Sequence, residues 1–310
     1  NKPVKLDIEV RTQRQRLARR FVPASRYLDS YDLSPDGSQL ALVARGKAFC
    51  FPHWEGAVKE LNVEDGVRHR LLRWGPKGIY HVNDSSGEEE IGFFFTRKDG
   101  PELEAYESLT SGIDIGRVLD MGLSPNGKRL WFTNHRHQLY AMEVSDAYLK
   151  WLENPKKKKP AAPEPILVAE DRIARIREAC FSPDNEWLAF GLSKNRQDSQ
   201  ICLWNWEKKE VVPVTAAPFH DWAPDFDPEG RYLYFLSCRD FDPVKDNLFF
   251  EYSFPRAARP YLVTLQNNQP DPFLDRPRAP GADPPEFPSP YIETEEDKKK
   301  EEEKKKLEVV

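Results

Sequence analysis

Apolar residues fall in short runs rich in aromatic and β-branched side chains, and each run follows the same kind of polar phrase. Ser34-Pro35-Asp36-Gly37 precedes Leu40-Ala41-Leu42-Val43, and Ser124-Pro125-Asn126-Gly127 precedes Leu130-Trp131-Phe132. Ser182-Pro183-Asp184-Asn185 precedes Trp187-Leu188-Ala189-Phe190, and Asp227-Pro228-Glu229-Gly230 precedes Tyr232-Leu233-Tyr234-Phe235. Proline at the second position pre-sets φ for a turn, and the Asp/Asn-Gly pair tolerates a positive φ. The apolar run that follows reads as a strand. Upstream of each phrase lies another apolar stretch, such as residues 119–123 or 179–181, so each copy reads as a β-hairpin.

The interval between Pro35 and Pro125 is about twice the others and hides a worn copy, Arg73-Trp74-Gly75-Pro76-Lys77-Gly78 followed by Ile79-Tyr80-His81-Val82. With Pro76 included, the prolines at 35, 76, 125, 183 and 228 are 41, 49, 58 and 45 residues apart. Third strands are predicted at residues 48–51, 90–95, 138–142 and 200–204. Outer strands are predicted at 58–61, 165–169, 210–215 and 261–265. Units of this length are too long for a β-helix coil and suit one propeller blade. No helical 3.6 periodicity is visible. The predicted class is therefore all-β, a β-propeller of four-stranded antiparallel blades with five recognisable units.

The blades should occupy residues 27–266. Residues 1–26 contain an alternating stretch, Val4, Leu6, Ile8 and Val10 against Lys5, Asp7 and Glu9, which predicts a half-buried strand. It belongs either to the end of a preceding blade or to a closing strand. Residues 267–310 read as a linker, with eight prolines between 270 and 290 and then twelve charged residues in a row. The chain opens on Asn1 rather than Met and ends on the apolar Leu307-Glu308-Val309-Val310, so it reads as a piece of a longer protein.

A net charge of −5 carries no nucleic-acid signature, and no apolar run approaches the length of a membrane span. Cys50, Cys180, Cys202 and Cys238 show no CxxC spacing and read as buried free thiols of a reducing compartment. A cytoplasmic location is expected, with the periplasm as the alternative. The run Lys156-Lys157-Lys158-Lys159 reads as a solvated loop insertion.

Three stretches carry a family resemblance. They are Tyr31-Asp32-Leu33-Ser34-Pro35-Asp36-Gly37 with the strand after it, Phe226-Asp227-Pro228-Glu229-Gly230-Arg231-Tyr232 running on to Arg239-Asp240-Phe241-Asp242-Pro243-Val244, and Phe250-Glu251-Tyr252-Ser253-Phe254-Pro255-Arg256 followed by Arg259-Pro260-Tyr261-Leu262-Val263. The Ser-Pro-Asp-Gly hairpins are common to many propellers, and the last stretch is the most specific. On these residues the chain resembles the second β-propeller of tricorn-like proteases, serine peptidases with propellers upstream of a PDZ domain and a peptidase core. The resemblance covers about residues 1–275. It implies a ring of seven blades, two more than are recognisable. It places the catalytic Ser, His and Glu downstream of Val310, so none falls on this chain, while the parent protein is a serine-type peptidase. It also implies that the propeller guides unfolded peptides through its central channel towards that core. Two alternatives stay open: a protein-interaction scaffold, and the lid propeller of a prolyl-oligopeptidase-type hydrolase.

The chain has no GxSxG, P-loop or HExxH motif. Ser34, Ser124 and Ser182 recur as turn residues, and His135-Arg136-His137 reads as a polar loop rather than a metal site. No catalytic residue, cofactor or metal is expected. The loops between second and third strands should emerge on one face. They carry Arg45, Lys47, Arg136, Lys194, Arg196 and Arg239, a candidate cationic rim for the terminal carboxylate or acidic segments of a peptide. Asp29, Asp120 and Glu178 are candidates for the channel lining. The expected partners are a peptide or unfolded polypeptide substrate and the remaining domains of the parent protease, with no nucleic acid and no membrane. Homo-oligomerisation of the full-length protein stays open.

Overall fold

A computed structural model describes residues 23–61, 66–95, 105–154, 158–216 and 218–266, with isolated positions at 6, 8, 13, 21, 269 and 271–273. The chain winds into successive antiparallel sheets. Blade 1 is β1 (Leu28–Leu33), β2 (Gln39–Ala44), β3 (Lys47–Pro52) and β4 (Lys59–Leu61). Blade 2 is β5 (His69–Gly75), β6 (Gly78–Asn83), β7 (Glu90–Phe95) and β8 (Ala105–Ser108). Blade 3 is β9 (Val118–Leu123), β10 (Arg129–Asn134), β11 (Gln138–Glu143) and β12 (Ile166–Glu170), with a helix α1 (Asp146–Glu153) before its last strand. Blade 4 is β13 (Cys180–Phe181), β14 (Trp187–Ser193), β15 (Ser199–Asn205) and β16 (Val211–Pro213). Blade 5 is built on β17 (His220–Phe226) and β18 (Tyr232–Cys238). Its insertion forms a small hairpin, β19 (Val244–Lys245) and β20 (Tyr252–Ser253), before β21 (Arg259–Thr264) returns to pair with β18.

The repeated phrase forms the same turn each time. Ser34 Oγ donates to Asp36 Oδ1 at 2.6 Å and accepts from Gln39 N at 2.9 Å, while Asp36 Oδ1 accepts from Ser38 N at 3.1 Å. Ser124 and Asn126 do the same with Lys128 N and Arg129 N, both at 3.0 Å. Ser182 and Asp184 repeat it with Glu186 N and Trp187 N, both at 2.9 Å. The fourth residue takes the positive φ: 70° at Gly37, 67° at Gly127, 66° at Asn185 and 66° at Gly230. The serine hydroxyls are thus engaged inside their turns. The worn copy closes more tightly, with Pro76 and Lys77 alone linking paired Gly75 and Gly78.

Side chains alternate across each sheet, and apolar clusters join consecutive blades. Ala41, Val43 and Ala48 of blade 1 meet Leu72, Ile79 and Phe94 of blade 2. Tyr80, Val82 and Phe93 on the other face of blade 2 meet Met121, Leu130 and Phe132 of blade 3. Trp131 and Leu139 then meet Leu188, Phe190 and Trp204 of blade 4, and Ala189 and Ile201 meet Leu233 and Phe235 of blade 5. All six residues of β6 and of β7 are buried because blade 2 is covered on both sides. Blade 1 is covered on one side, so β2 alternates and Leu28, Tyr31 and Leu33 of β1 stay exposed.

The repeated turns also touch one another. Tyr80 Oη donates to Gly127 O at 3.1 Å, and Asn126 N donates to Asn185 Oδ1 at 3.1 Å. Gly127 lies so close to the worn turn that a Cβ there would stand 2.0 Å from Pro76 Cδ.

Several expectations are revised. The stretch expected as the outer strand of blade 5 is its third strand, β21, because the insertion after β18 delays the return of the chain. A helix is present after all. Ser145 caps α1 by accepting from Tyr148 N at 3.2 Å, and Tyr148, Leu149 and Leu152 bury into the cluster between blades 2 and 3. Eight residues are too few to show a period in sequence. Blade 2 gains an outer strand, β8, that was not anticipated. Cys50 and Cys202 are buried, but Cys180 is half-buried and Cys238 exposed. Lys159 is not simply solvated, since its Nζ lies 2.6 Å from Glu107 and 5.0 Å from the Trp151 ring centroid. Apart from the exposed Leu6 and Ile8, the stretch 4–10 lies outside the described residues, as does the run 274–310. Among the described residues no helix is long and apolar enough to cross a membrane.

Two turn glycines separate strain from packing. Gly37 has open space where a Cβ would go, so Gly37→Ala should lose about 1 kcal/mol from the left-handed backbone alone. Gly127→Ala adds a clash with Pro76 and should lose two to three times as much, roughly 2–3 kcal/mol. Urea unfolding of both variants checks this, and equal losses would contradict it.

Candidate functional site

At the end of the blades opposite the repeated turns, the loop between second and third strands of one blade holds the chain entering the next. Gly46 O accepts from His69 N at 2.7 Å. Glu89 Oε2 accepts from Val118 N at 2.7 Å, while Arg70 donates to both Glu89 and Val118 O, at 2.7 and 3.1 Å. His137 O accepts from Asp171 N at 3.0 Å. Ser199 Oγ donates to Asp221 O at 2.7 Å and accepts from Asp221 N at 3.1 Å. A parallel bridge between Ser199 and His220 carries blade 4 into blade 5. These junctions make the loop ends one continuous rim.

The six cations predicted for this rim are held differently. Arg45 is exposed, its guanidinium 5.3 Å from the Tyr27 ring centroid. Lys47 lies 3.1 Å from Glu60. Arg136 donates to both oxygens of Asp114 at 2.9 and 2.8 Å, which holds the Asp114 carboxyl below its ordinary pKa. Lys194 and Arg196 sit in the exposed 194–198 loop and make no ion pair among the described residues. Arg239 is half-buried. It lies 2.8 Å from the fully buried Asp221, donates to Ser237 Oγ at 2.8 Å, and stacks 4.7, 5.2 and 5.1 Å from the centroids of Phe219, Phe235 and Tyr261. It clamps blade 5 internally.

The rim also carries arginines that the loop pattern missed. Arg68 and Arg117 are exposed and directly precede β5 and β9. Arg172, Arg175 and Arg177 are exposed on the segment leading to β13 and make no ion pair among the described residues. That segment is organised by Asp171, whose carboxyl accepts from Ile173 N, Ala174 N and Ser193 N at 2.8, 3.0 and 2.8 Å. Burial raises the Asp171 pKa, but these N–H donors more than offset it and hold the carboxyl below its ordinary value. No sequence signal marked them: it is the junction contacts of the structure that bring chain entering an innermost strand onto the same face as the second-to-third-strand loops. Of the channel candidates, Asp29 lies exposed in β1. Asp120 lies in β9, 3.7 Å from Arg73. Glu178 precedes β13 with φ 55°. His135 Nδ1 accepts from Arg117 N at 3.0 Å, and no group of three or more potential metal ligands occurs among the described residues.

The four-stranded antiparallel blades and their junctions define a β-propeller. The sequence matches the family model of the tricorn protease second beta propeller domain over residues 28–308. It is 31% identical over 264 residues to a tricorn protease homolog of Saccharolobus solfataricus, covering 85% of this chain and 22% of that relative. It is 30% identical over 275 residues to tricorn protease homolog 1 of Streptomyces coelicolor, covering 87% and 24%. A crystal structure of the tricorn protease superimposes with a TM-score of 0.68 at 22% identity, covering 86% of this chain and 24% of that one. The chain belongs to the tricorn protease second β-propeller family. It spans about a quarter of the length of the curated relatives it matches. Membership in this family displaces the prolyl-oligopeptidase lid as an alternative.

His69, which closes the first junction, has a buried partner in His81, with Nδ1 to Nδ1 3.2 Å apart. His81 stacks on Phe94 with ring centroids 4.2 Å apart. Neither Nε2 finds a hydrogen-bonding partner among the described residues. Burial, and secondarily the Lys47 charge, pulls the His69 pKa down to about 4, and burial holds His81 well below its ordinary value. The unfolded chain, with histidines near 6.5, therefore binds more protons than the folded protein between that value and about 4. Stability is fully present above pH 6.5 and falls as pH drops through this window. Melting temperature measured from pH 7 to 4.5 should decline steadily below 6.5, and a flat profile would contradict this reading.

Proposed function

We propose that this propeller is the substrate-guiding module of a tricorn-like serine protease, drawing unfolded peptides to its rim and passing them through its central channel towards a peptidase core elsewhere in that protein. The observation that carries the reading is the group of exposed cations without ion-pair partners among the described residues, Arg172, Arg175, Arg177, Lys194 and Arg196. They stand where blades 3 and 4 meet. Such a group attracts carboxylates at long range, and guanidinium groups can then hold a terminal carboxylate by paired hydrogen bonds. Arg45, Arg68 and Arg117 extend the same sign along the rim. Lys47, Arg136 and Arg239 are matched locally by Glu60, Asp114 and Asp221 and add less to the outward field.

The reading is tested in the protease that contains this chain, with Arg172, Arg175 and Arg177 reversed to Glu. Arg239 is left intact because reversing it would strand the buried Asp221. At low salt, kcat/KM for long acidic unfolded peptides should fall roughly tenfold, and the difference should shrink as salt is added. Hydrolysis of short neutral peptides should not change. Equal kinetics on long acidic peptides at low salt would overturn the proposal.

A further inference from the structure

The insertion at residues 239–258 is the one second-to-third-strand connection, among the described residues, with secondary structure of its own. Elsewhere these connections are short loops, such as 45–46 and 194–198. The insertion is anchored at both ends. At its base Arg259 lies 3.1 Å from Asp240 and 3.1 Å from Asp242. At its tip Asp246 accepts from Leu248 N at 2.8 Å and Phe249 N at 3.2 Å, and Asp246 N donates to Glu251 O at 2.8 Å. Between these anchors six large apolar side chains are turned to solvent, interspersed with the exposed polar residues Lys245, Asn247, Glu251, Ser253 and Arg256. Phe241, Leu248, Phe249, Phe250, Tyr252 and Phe254 are between 45% and 82% exposed. An open groove lined by Val244, Lys245, Asn247 and Leu248 runs along the hairpin. An exposed patch of this density marks a binding surface rather than ordinary surface scatter.

The strand ladder fixes what lies beside it. Ser199 bridges to His220, and His220 is the cross-strand partner of Cys238, the last residue before the insertion. Strand spacing is about 4.8 Å, so the 194–198 loop stands roughly 10 Å from the foot of the insertion. Through Asp171 and Ser193 the segment bearing Arg172 and Arg175 joins the same loop. The carboxylates of Asp240, Asp242 and Asp246 are occupied by Arg259 and by backbone N–H groups. Exposed apolar side chains thus flank cations that have no ion-pair partner among the described residues, on one face.

We propose that the 239–258 insertion and the basic segments of blade 4 form a capture site for extended polypeptide in which large apolar side chains sit beside carboxylates. The proposal rests on the rim being peptide-facing and specifies which peptides it takes. Rings over the hairpin would hold apolar side chains, and Arg172, Arg175, Lys194 and Arg196 would take the neighbouring carboxylates.

The test is fluorescence anisotropy of labelled twelve-residue peptides on the full chain. One peptide alternates Phe or Leu with Glu, one replaces Glu by Lys, and one replaces Phe and Leu by Ser. The first should bind at least tenfold tighter than the other two. A double variant, Phe249→Ser with Phe250→Asn, should lose that preference for Phe and Leu; Asn suits the φ of 58° found at Phe250, so folding is kept and is checked by melting temperature. Lys194→Glu with Arg196→Glu should lose the preference for Glu over Lys. Unchanged affinities in the folded Phe249 and Phe250 variant would overturn the site. So would a concentration-dependent dimer, in sedimentation, that this variant abolishes, since the patch would then be a self-association face. If the hairpin variants leave binding intact while charge reversal still slows proteolysis, only this site fails. If peptide binding follows the site but proteolysis ignores the rim, the guiding role fails instead.

Discussion

Blades 2, 3 and 4 bury apolar side chains on both faces of their sheets, so no blade in the middle of the arc has a core to itself. Each is stable because its neighbours cover it, the condition of any stacked-repeat protein. Phe94 belongs to the cluster with blade 1 and Phe93 to the cluster with blade 3, although they are adjacent in β7. A propeller meets this constraint with apolar sheet faces packed blade on blade and leaves the loop ends at the two rims. The repeated turns tie one end of the stack, and the loop-to-strand junctions tie the other.

Those junctions are what turn a set of loops into one rim. Because Gly46, Glu89, His137 and Ser199 each hold the chain entering the next blade, the cations around them are carried on one fixed rim rather than on independent loops. Some cations serve the fold. Arg239 neutralises a fully buried carboxylate and fills an aromatic cage in blade 5. Others are left facing solvent, and they concentrate at blade 4, beside the apolar insertion of blade 5. The division of labour follows from partners: a charge matched at 2.8 Å by a buried acid projects little field, and an unmatched one projects much.

The hairpins were legible in the sequence because their causes are local. Ser-Pro-Asp-Gly closes its own turn with bonds spanning two to five residues, so the phrase carries its structure with it. The worn copy at Pro76 was legible for the same reason. The role of Arg239 was not, because its partner Asp221 lies eighteen residues back on another strand. The rim arginines at 68, 117 and 172–177 escaped because they lie outside the strand-to-strand loops, and only the topology shows that chain entering an inner strand shares their face. Helix α1 escaped because its three buried residues span little more than one turn. The reach of the insertion after β18 was hidden because its strands are two residues each.

Amide hydrogen exchange at the junctions tests most directly whether the rim is one fixed element. The N–H groups of His69, Val118, Asp171 and Asp221 sit where ordinary loops would exchange quickly. If the junctions bind the blades as described, these four amides will be as protected as the ladder amides of β6 and β10 within roughly a factor of ten. Exchange at rates typical of open loops, while β6 and β10 stay protected, would contradict a rigid rim.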